Sequence, residues 1–219
     1  MTASLTALLQ LASPALPVGA YSYSQGLESA IDCGMVHDQA SAGRWIEQGL
    51  RLVLARYEAP QWLRLHRALA VRDVVSAQEC NDEFLATRET GELRAETLQM
   101  GYSLMQLMTQ LGHASPLADG EIAYPSAHAW ACVCWHIDEH DGLQAYLYGW
   151  VENQVMAALK TVPLGQSAGQ RLLLGLRGGI EAAAAEAQSL GDEKLSTQTP
   201  MLAILSCQHE AQYSRLFRS

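Results

Sequence analysis

Apolar residues recur along this chain at the spacing of an α-helix, and no segment shows the alternation of apolar and polar residues that a half-buried strand requires. The stretch LMQLMTQL (104–111) carries leucine or methionine at positions i, i+3, i+4 and i+7. LQAYLYGW (143–150) repeats that pattern with leucine, tyrosine and tryptophan. An Asn-Gly hairpin turn is also absent. The sequence therefore predicts an all-α fold.

Turn-forming residues separate the helical segments, without a shift in composition that would divide the chain into domains. The predicted turns are ASPALPVG, RETGE, GHASPLADG, EHDG, VPLG and LGDEKLSTQTP. We expect a single helical-bundle-like domain over residues 1–219. Within it, residues 188–200 are predicted to form a mobile linker, and residues 211–219 a flexible C-terminal tail.

The charge content narrows the classes of protein to consider. Charged residues make up 17% of the chain, against about 25% in a typical soluble domain. The surface is therefore either rich in uncharged polar residues or partly covered by other proteins. A net charge of -9 without a basic run excludes binding to nucleic acid or to an anionic membrane. Five cysteines without a disulfide-framework spacing predict reduced thiols and a cytoplasmic protein.

Two long stretches, residues 1–27 and 97–118, contain no Asp, Glu, Lys or Arg. The first lacks the cationic start of a signal peptide and is interrupted by Pro14 and Pro17. The second contains several glutamines and glycines, which make a poor membrane span. We predict that both stretches are buried helical segments.

Motifs of the common enzyme classes are absent. The sequence contains no G-x-x-x-x-G-K-[ST] phosphate loop, no G-x-S-x-G nucleophile elbow and no H-E-x-x-H zinc helix. VPLGQSAGQR (162–171) has two glycines but lacks the lysine of a phosphate loop, so it is interpreted as a helix break followed by a helix start. These absences favour a protein that is not an enzyme. An active site assembled from residues distant in sequence stays open as an alternative.

The segment CVCWH (132–136) is the sharpest candidate metal motif. On a helix, Cys132 and His136 share a face, whereas Cys134 is rotated away by about 200°. A closed site usually needs four ligands, and a fourth is not evident nearby. The favoured interpretation is therefore two core cysteines beside a hydrogen-bonded histidine. His136 and His140 could form a looser site with two nearby aspartates, which is better explained as a solvated helix end.

Two polar segments suggest contacts with other proteins. In GAYSYSQGLES (19–29), Ser22 and Gln25 have capping-box spacing, which explains the serines but not the two tyrosines. An outward-facing tyrosine on a turn fits a protein interface, where aromatic residues are enriched. RETGELRAETLQMG (88–101) carries mixed charges that are typical of a solvated helix face. The alternative for that segment is a polar contact strip for a partner.

The segment QYSRLFRS (212–219) places Phe217, one of only two phenylalanines, between arginines. Aromatic residues and arginine dominate binding energy at interfaces. We expect the tail to dock on a partner and to be flexible in the isolated chain. The expected anchors are Tyr213, Arg215, Leu216, Phe217 and Arg218. The alternative is a tail that packs back on its own domain, with Arg215 on a carboxylate.

Four segments, in their order and spacing, resemble the UreF family of urease accessory proteins from about Leu8 to Ser219. They are LLQLASPALPVGAYSYSQGLESA, RETGELRAETLQMGYSL, YLYGWVENQVMAALKTVPLGQSAGQ and HEAQYSRLFRS. Two positions depart from the family pattern. Tyr21 stands where the family usually has phenylalanine, and His128 stands where an apolar or aromatic residue is expected.

The resemblance implies an all-α, dimeric maturation factor that has no enzymatic activity and no bound cofactor of its own. Proteins of this family bind the accessory protein UreD, called UreH in some organisms, and the pair recruits the GTPase UreG and docks on apo-urease. Nickel is the cargo of that assembly, and GTP is bound and hydrolysed by the GTPase. The UreF-like protein is thought to gate or regulate this step. The tail would then dock on the UreD-like partner.

Residues in the family-like blocks are the expected contacts for the partners. Tyr21 is expected in the partner interface, and the residues expected to face the GTPase are Tyr23, Glu28, Gln154, Lys160 and Gln166. For Gln154, a buried hydrogen bond between helices is the alternative. The competing hypothesis is a metallochaperone that itself carries nickel through Cys132, His136 or His140, because nickel accepts thiolate and imidazole ligands.

Overall fold

The computed structural model describes residues 5–117, 120–196 and 199–219. These residues form helices and connecting turns and contain no strand, which confirms the predicted all-α class. The helices are α1 (Leu5–Leu11), α2 (Leu27–Asp32), α3 (Gln39–Gly49), α4 (Ala59–Ala70), α5 (Val74–Ala86), α6 (Gly91–Gln110), α7 (Tyr124–Cys134), α8 (Glu139–Thr161), α9 (Gln166–Ser189) and α10 (Pro200–Glu210). Short 3₁₀ turns occupy Ala20–Ser22 and Asp192–Lys194.

A π-helical segment, Leu50–Glu58, joins α3 and α4 into one continuous helix. Pro60, at the start of α4, has no N–H to donate to the carbonyl of Arg56 four residues earlier. That carbonyl instead accepts the Ser196 amide at 3.1 Å. At the end of the segment the Ala59 amide bonds to the carbonyl of Leu54, five residues earlier, which is the wider π-helical spacing.

Helix α4 lies at the centre of the bundle and packs against α5, α7, α8 and α9. Trp62 on α4 is completely buried. Gly142 on α8 allows this packing, since a Cβ there would lie 2.8 Å from the Trp62 ring and 2.9 Å from Cys132 Sγ. Gly101 does the same between α6 and α7, where a Cβ would lie 2.0 Å from the carbonyl oxygen of Ile122.

Two local predictions are wrong. EHDG (139–142) is the first turn of α8 rather than a break, because the Asp138 side chain accepts the Asp141 amide at 2.9 Å and caps the helix. Neither uncharged stretch is buried throughout its described part, since Leu5 and Leu9 are exposed on α1 and α6 leaves Tyr102 exposed. Within the described part of the chain, no helix is both long and apolar enough to cross a membrane.

The predicted linker, residues 188–200, is shorter and more ordered than expected in the part that the structure describes. Helix α9 continues to Ser189, and the turn Asp192–Lys194 and the Ser196 amide contact follow it. Residues 197–198 lie outside the described residues. Helix α10 follows and packs against α2 and α6. The tail, which comes after α10, therefore begins on the side of the bundle that α2 and α6 form.

Candidate protein-interaction surface

The turn between α1 and α2 separates the two tyrosines of GAYSYSQGLES. Gly19 and Gly26 adopt φ of 77° and 78°, in the left-handed region that glycine tolerates without strain. Tyr21 lies on the 3₁₀ turn between them and is 66% exposed, whereas Tyr23 is 5% exposed. Burial, aided by the negative charge of Glu96, raises the pKa of the Tyr23 hydroxyl. The expected outward-facing tyrosine is therefore Tyr21.

Helix α8 holds this turn with three side chains on one face, at positions i, i+3 and i+4. Trp150 Nε1 donates to Gln25 Oε1 at 2.6 Å. One helical turn later, Asn153 Nδ2 donates to the Tyr23 carbonyl and Gln154 Nε2 to the Ser24 carbonyl, both at 3.0 Å. Gln154 is fully buried, so the alternative of a buried hydrogen bond describes its position, and its Oε1 has no partner among the described residues.

The tail packs against the same turn through its backbone. The Arg218 amide donates to the Ser22 carbonyl at 2.8 Å, and the Ser24 amide donates to the Ser219 carbonyl at 2.8 Å. The Ser24 hydroxyl donates to that same carbonyl at 2.6 Å. Ser219 Oγ lies 2.7 Å from Glu96 Oε2. These contacts correct the expectation of a tail that is flexible in the isolated chain.

Two carboxylates hold the remainder of the tail. Glu28 accepts the amides of Leu216 and Phe217 at 2.7 and 2.9 Å. Glu92 accepts Arg215 Nη1 at 2.5 Å, which is the alternative arrangement considered for this arginine. Because Glu28 is buried beneath the tail, it acts on the tail from within the chain rather than as a surface contact.

Lys160 joins the tail to the turn. Its Nζ donates to the Tyr21 carbonyl at 3.2 Å and lies 5.6 Å from the centre of the Tyr21 ring. The same ammonium lies 5.4 Å from the centre of the Phe217 ring. Distances below about 6 Å allow cation–π attraction. One lysine of α8 thus contacts both the exposed tyrosine and the buried phenylalanine.

We name the surface around these contacts the tail face, made of Tyr21, Lys160 and residues 213–218. Phe217 is 5% exposed and packs on its own domain, so it is not free to act as an anchor for a partner. Tyr213 and Leu216 point into solvent, Leu216 being 62% exposed. Gln166 is exposed at the start of α9 and is not among the residues that form the tail face.

A cavity of about 210 Å³ lies beneath this surface and is lined by charged and aromatic residues. Arg88 Nη1 donates to Glu58 Oε1 at 2.7 Å, and these side chains are only 9% and 7% exposed. Tyr146 donates its hydroxyl to Glu58 at 3.1 Å, and the Arg88 guanidinium lies 4.1 Å from the centre of the Phe84 ring. Arg88 Nε has no hydrogen-bond partner among the described residues.

This buried charge cluster differs from the prediction for RETGELRAETLQMG, which placed Arg88 and Glu96 on a solvated helix face. A signal was present, because Leu93, Glu96 and Met100 recur at helical spacing and place Glu96 on the buried face of α6. Glu96 accepts the Gln25 amide at 2.7 Å in addition to its contact with Ser219. Burial raises the pKa of Glu96 to about 7.

We expect Glu96 to make the free energy of unfolding depend on pH. The raised folded-state pKa means that the folded protein binds the proton more tightly than the unfolded chain does, so this stability is complete below about pH 4.5 and is lost as the pH rises through about 7. The shift corresponds to roughly 3 kcal/mol. Urea unfolding at several pH values should show that loss in the parent chain and a flatter profile in Glu96→Gln. The same pH dependence of stability in the parent chain and in Glu96→Gln would contradict a raised pKa at Glu96 as its cause.

The structure does not bring the three candidate metal ligands together. Cys132 is buried, with Sγ 3.7 Å from His128 Nδ1. Helix α7 ends at Cys134, so His136, at φ 55°, leaves the helix and is exposed, while His140 lies on the first turn of α8. Across the described ranges, no three His, Cys, Asp or Glu side chains are grouped to hold a metal ion.

His128, the departure from the family pattern, is fully enclosed. Its Nδ1 accepts the Trp62 indole N–H at 3.1 Å, and its ring packs edge-on against Tyr124 and Tyr146. Burial lowers the pKa of His128 to about 3, so the ring is neutral and occupies the apolar position that the pattern predicted.

The sequence is similar to those of known urease accessory proteins. A protein of Cupriavidus necator named urease accessory protein UreF is 51% identical over 98% of this chain and 97% of its own length. One from Azoarcus sp. (strain BH72), with the same name, is 52% identical over 98% of this chain and 95% of its own. The sequence profile of UreF matches residues 36–177. This chain belongs to the UreF family of urease accessory proteins.

One longer relative contains a region similar to this chain and a second region of about equal length. A Bordetella bronchiseptica protein named bifunctional urease accessory protein UreEF is 49% identical over 98% of this chain, which spans 52% of that protein. The name of that relative describes two accessory functions on one polypeptide. Membership of the family supports a role for this chain in urease maturation.

Proposed function

We propose that this chain is a non-enzymatic, cytoplasmic assembly scaffold of urease maturation. The observation that carries the proposal is the tail face, where one turn, one helix and the tail meet through the contacts of Glu28, Glu92 and Lys160. A scaffold needs a surface whose parts are fixed relative to one another and whose exposed residues suit a partner. Exposed Tyr21, Tyr213 and Leu216 on a fixed base meet that need.

The partners follow from the family resemblance. A UreD/UreH-like protein docks on the tail, and a UreG-like GTPase is recruited to the side that carries Tyr21 and Lys160. The assembly docks on apo-urease, nickel is its cargo, and GTP is bound by the GTPase. This chain regulates GTP-dependent nickel delivery by holding the other proteins in a fixed arrangement. Gln166 is a further GTPase contact of the proposal, because it is exposed at the start of α9.

A homodimer is part of the proposal. Leu5 and Leu9 lie one turn apart on α1 and are 67% and 60% exposed. An exposed apolar pair of this kind fits an interface with a second copy better than it fits contact with water. Light scattering of Leu5→Glu/Leu9→Glu should give a monomer, and a dimer that persists would place the interface elsewhere.

Reconstitution from purified components tests the scaffold. Apo-urease, nickel, GTP, the UreD-like protein and the GTPase are mixed with and without this chain, and nickel in the urease is measured after removal of free metal. The proposal predicts nickel incorporation only when this chain is present. Equal incorporation without it would overturn the proposal.

Lys160→Ala is predicted to weaken recruitment of the GTPase by about tenfold, because Tyr21 loses its cation–π and hydrogen-bond contacts. Lys194→Ala is the matched control, since Lys194 is the other lysine of the chain and is exposed on a 3₁₀ turn. The measurement is the affinity of the preformed UreD-like complex for the GTPase. A Lys160→Ala protein that kept its fold, its dimer and full urease activation would remove this residue from the interface.

The alternative, a chaperone that itself carries nickel, receives no support from the positions of its ligands. Cys132 is buried in α7 while His136 and His140 are exposed beyond its end, so the three do not converge. Equilibrium dialysis with nickel distinguishes the two functions. Tight stoichiometric binding that is lost in Cys132→Ser and His136→Ala would favour the carrier.

A further inference from the structure

The last turn of α10 carries a histidine between two carboxylates. His209 is fully buried, with Nε2 3.2 Å from Glu28 Oε2 and Nδ1 2.6 Å from Glu92 Oε2. An ionised carboxylate only accepts hydrogen bonds, so two such contacts need a proton on both ring nitrogens or a proton on one of the carboxylates. The three side chains in this arrangement therefore hold one proton more than a neutral imidazole and two ionised carboxylates would hold.

The same two carboxylates hold the tail. Glu28 accepts the amides of Leu216 and Phe217, and Glu92 accepts Arg215. His209 itself does not touch these tail residues in any of those contacts. It fixes the carboxylates to which the tail is bonded, and it lies only two residues before the tail begins.

The charges around His209 explain why the proton matters. Glu28 faces it from α2 and Glu92 from α6, and Arg215 of the tail reaches Glu92. With a protonated imidazole, two positive and two negative groups balance. Without that proton, a net negative charge remains in a largely buried cluster, which is unfavourable.

Two further carboxylates lie near this cluster. Glu210, next to His209 on α10, is exposed and accepts the Glu92 backbone amide at 3.2 Å. Glu96, one turn beyond Glu92 on α6, has its own partners in Gln25 and Ser219. Glu96 therefore contributes a separate pH dependence, which an experiment on His209 has to remove.

We propose that Glu28, His209 and Glu92 form a proton-dependent latch that positions the tail for its partner. The latch is closed when the extra proton is present, and its loss weakens the hold of Glu28 and Glu92 on residues 215–217. The contacts of Arg218 and Ser219 with the α1–α2 turn stay in place. His209 is a positioning residue, because it acts on the partner surface through the two carboxylates. The consequence for partner binding rests on the proposed function, whereas the latch itself is a property of the isolated chain.

Amide exchange in the isolated full-length chain tests the latch directly. Protection of the Leu216 and Phe217 amides is measured from about pH 6 to pH 9 as a ratio to unstructured rates at the same pH, which removes the intrinsic pH dependence of exchange. The parent for this series is Glu96→Gln. We expect protection to fall by up to about tenfold per pH unit once the proton leaves, the slope for one proton.

Matched variants identify the group responsible. In the same background, His209→Gln should show lower protection and a flat profile, and Glu28→Gln should reduce the slope because one carboxylate no longer needs a donor. His37→Gln is the control, since His37 is exposed and lies before α3. A flat profile in the parent, or a slope that survives in His209→Gln, would overturn the latch. The parent profile decides the question even if the variants do not fold.

Binding to the UreD-like protein over the same pH range separates the latch from the proposed function. If the latch holds and the function is right, affinity follows the protection of the tail amides. A latch that titrates while affinity stays constant would contradict the role of the tail in docking but not the latch. Affinity that needs the tail without any His209-dependent titration would contradict the latch alone.

Discussion

Replacement of Arg88 by methionine is expected to destabilise the fold by about 3–5 kcal/mol, because it leaves the Glu58 carboxylate buried without its cation. The two side chains are joined at 2.7 Å and are almost inaccessible to water. The Tyr146 hydroxyl remains as a partner of Glu58 but carries no charge to balance it. Urea unfolding at neutral pH measures the loss.

The exposed pair formed by Arg94 and Glu121 provides the matched control for Arg88. Arg94→Met should cost less than about 1 kcal/mol, since surface ion pairs contribute little. The double variant Arg88→Met/Glu58→Gln should recover part of the stability by removing the unpaired charge. Equal losses for Arg88→Met and Arg94→Met would contradict a buried ion pair at the base of the cavity.

Phe217→Ala is expected to release the tail and to lower affinity for the UreD-like partner by about a hundredfold or more. Removing a buried phenylalanine side chain costs about 3–5 kcal/mol, and 3 kcal/mol corresponds to more than a hundredfold in an equilibrium constant. The loss includes contact with the Lys160 ammonium, which lies over the ring. Amide exchange of residues 215–219 reports release of the tail, and calorimetric titration with the partner reports affinity.

Leu216→Ala separates packing of the tail from contact with the partner. Leu216 is adjacent to Phe217 but points into solvent. Its replacement should lower affinity while leaving protection of the tail amides unchanged. If Phe217→Ala and Leu216→Ala reduced affinity equally without releasing the tail, Phe217 would have to contact the partner directly, against its buried position.

Much of the helical framework was predictable from local pattern. The repeat in 104–111 and the one in 143–150 lie on α6 and α8, and Gly and Pro mark most of the turns between helices. The start of α8 was missed because Gly142 resembles a helix breaker. Its small size in fact serves contact with Trp62, a residue eighty positions away.

The segments that form the candidate site were predicted from the sequence, but the contacts between them were not. Tyr21, Lys160 and the tail were all singled out, and the structure brings them together. The role of Glu28 was not predictable, since its tail contacts join residues 188 and 189 positions apart. Such pairings depend on how helices pack and leave no periodic signal in the sequence. The same applies to His209, whose two carboxylate partners come from α2 and α6.

Size-exclusion light scattering of this chain with its UreD-like partner tests the central claim most directly. Full-length protein is compared with a version that ends at Glu210, the last residue of α10. The scaffold account predicts a truncated chain that stays folded and dimeric but forms no complex. A truncated chain that binds the partner as well as the full-length chain does would contradict it, and the docking surface would then have to be sought at the turn that carries Tyr21.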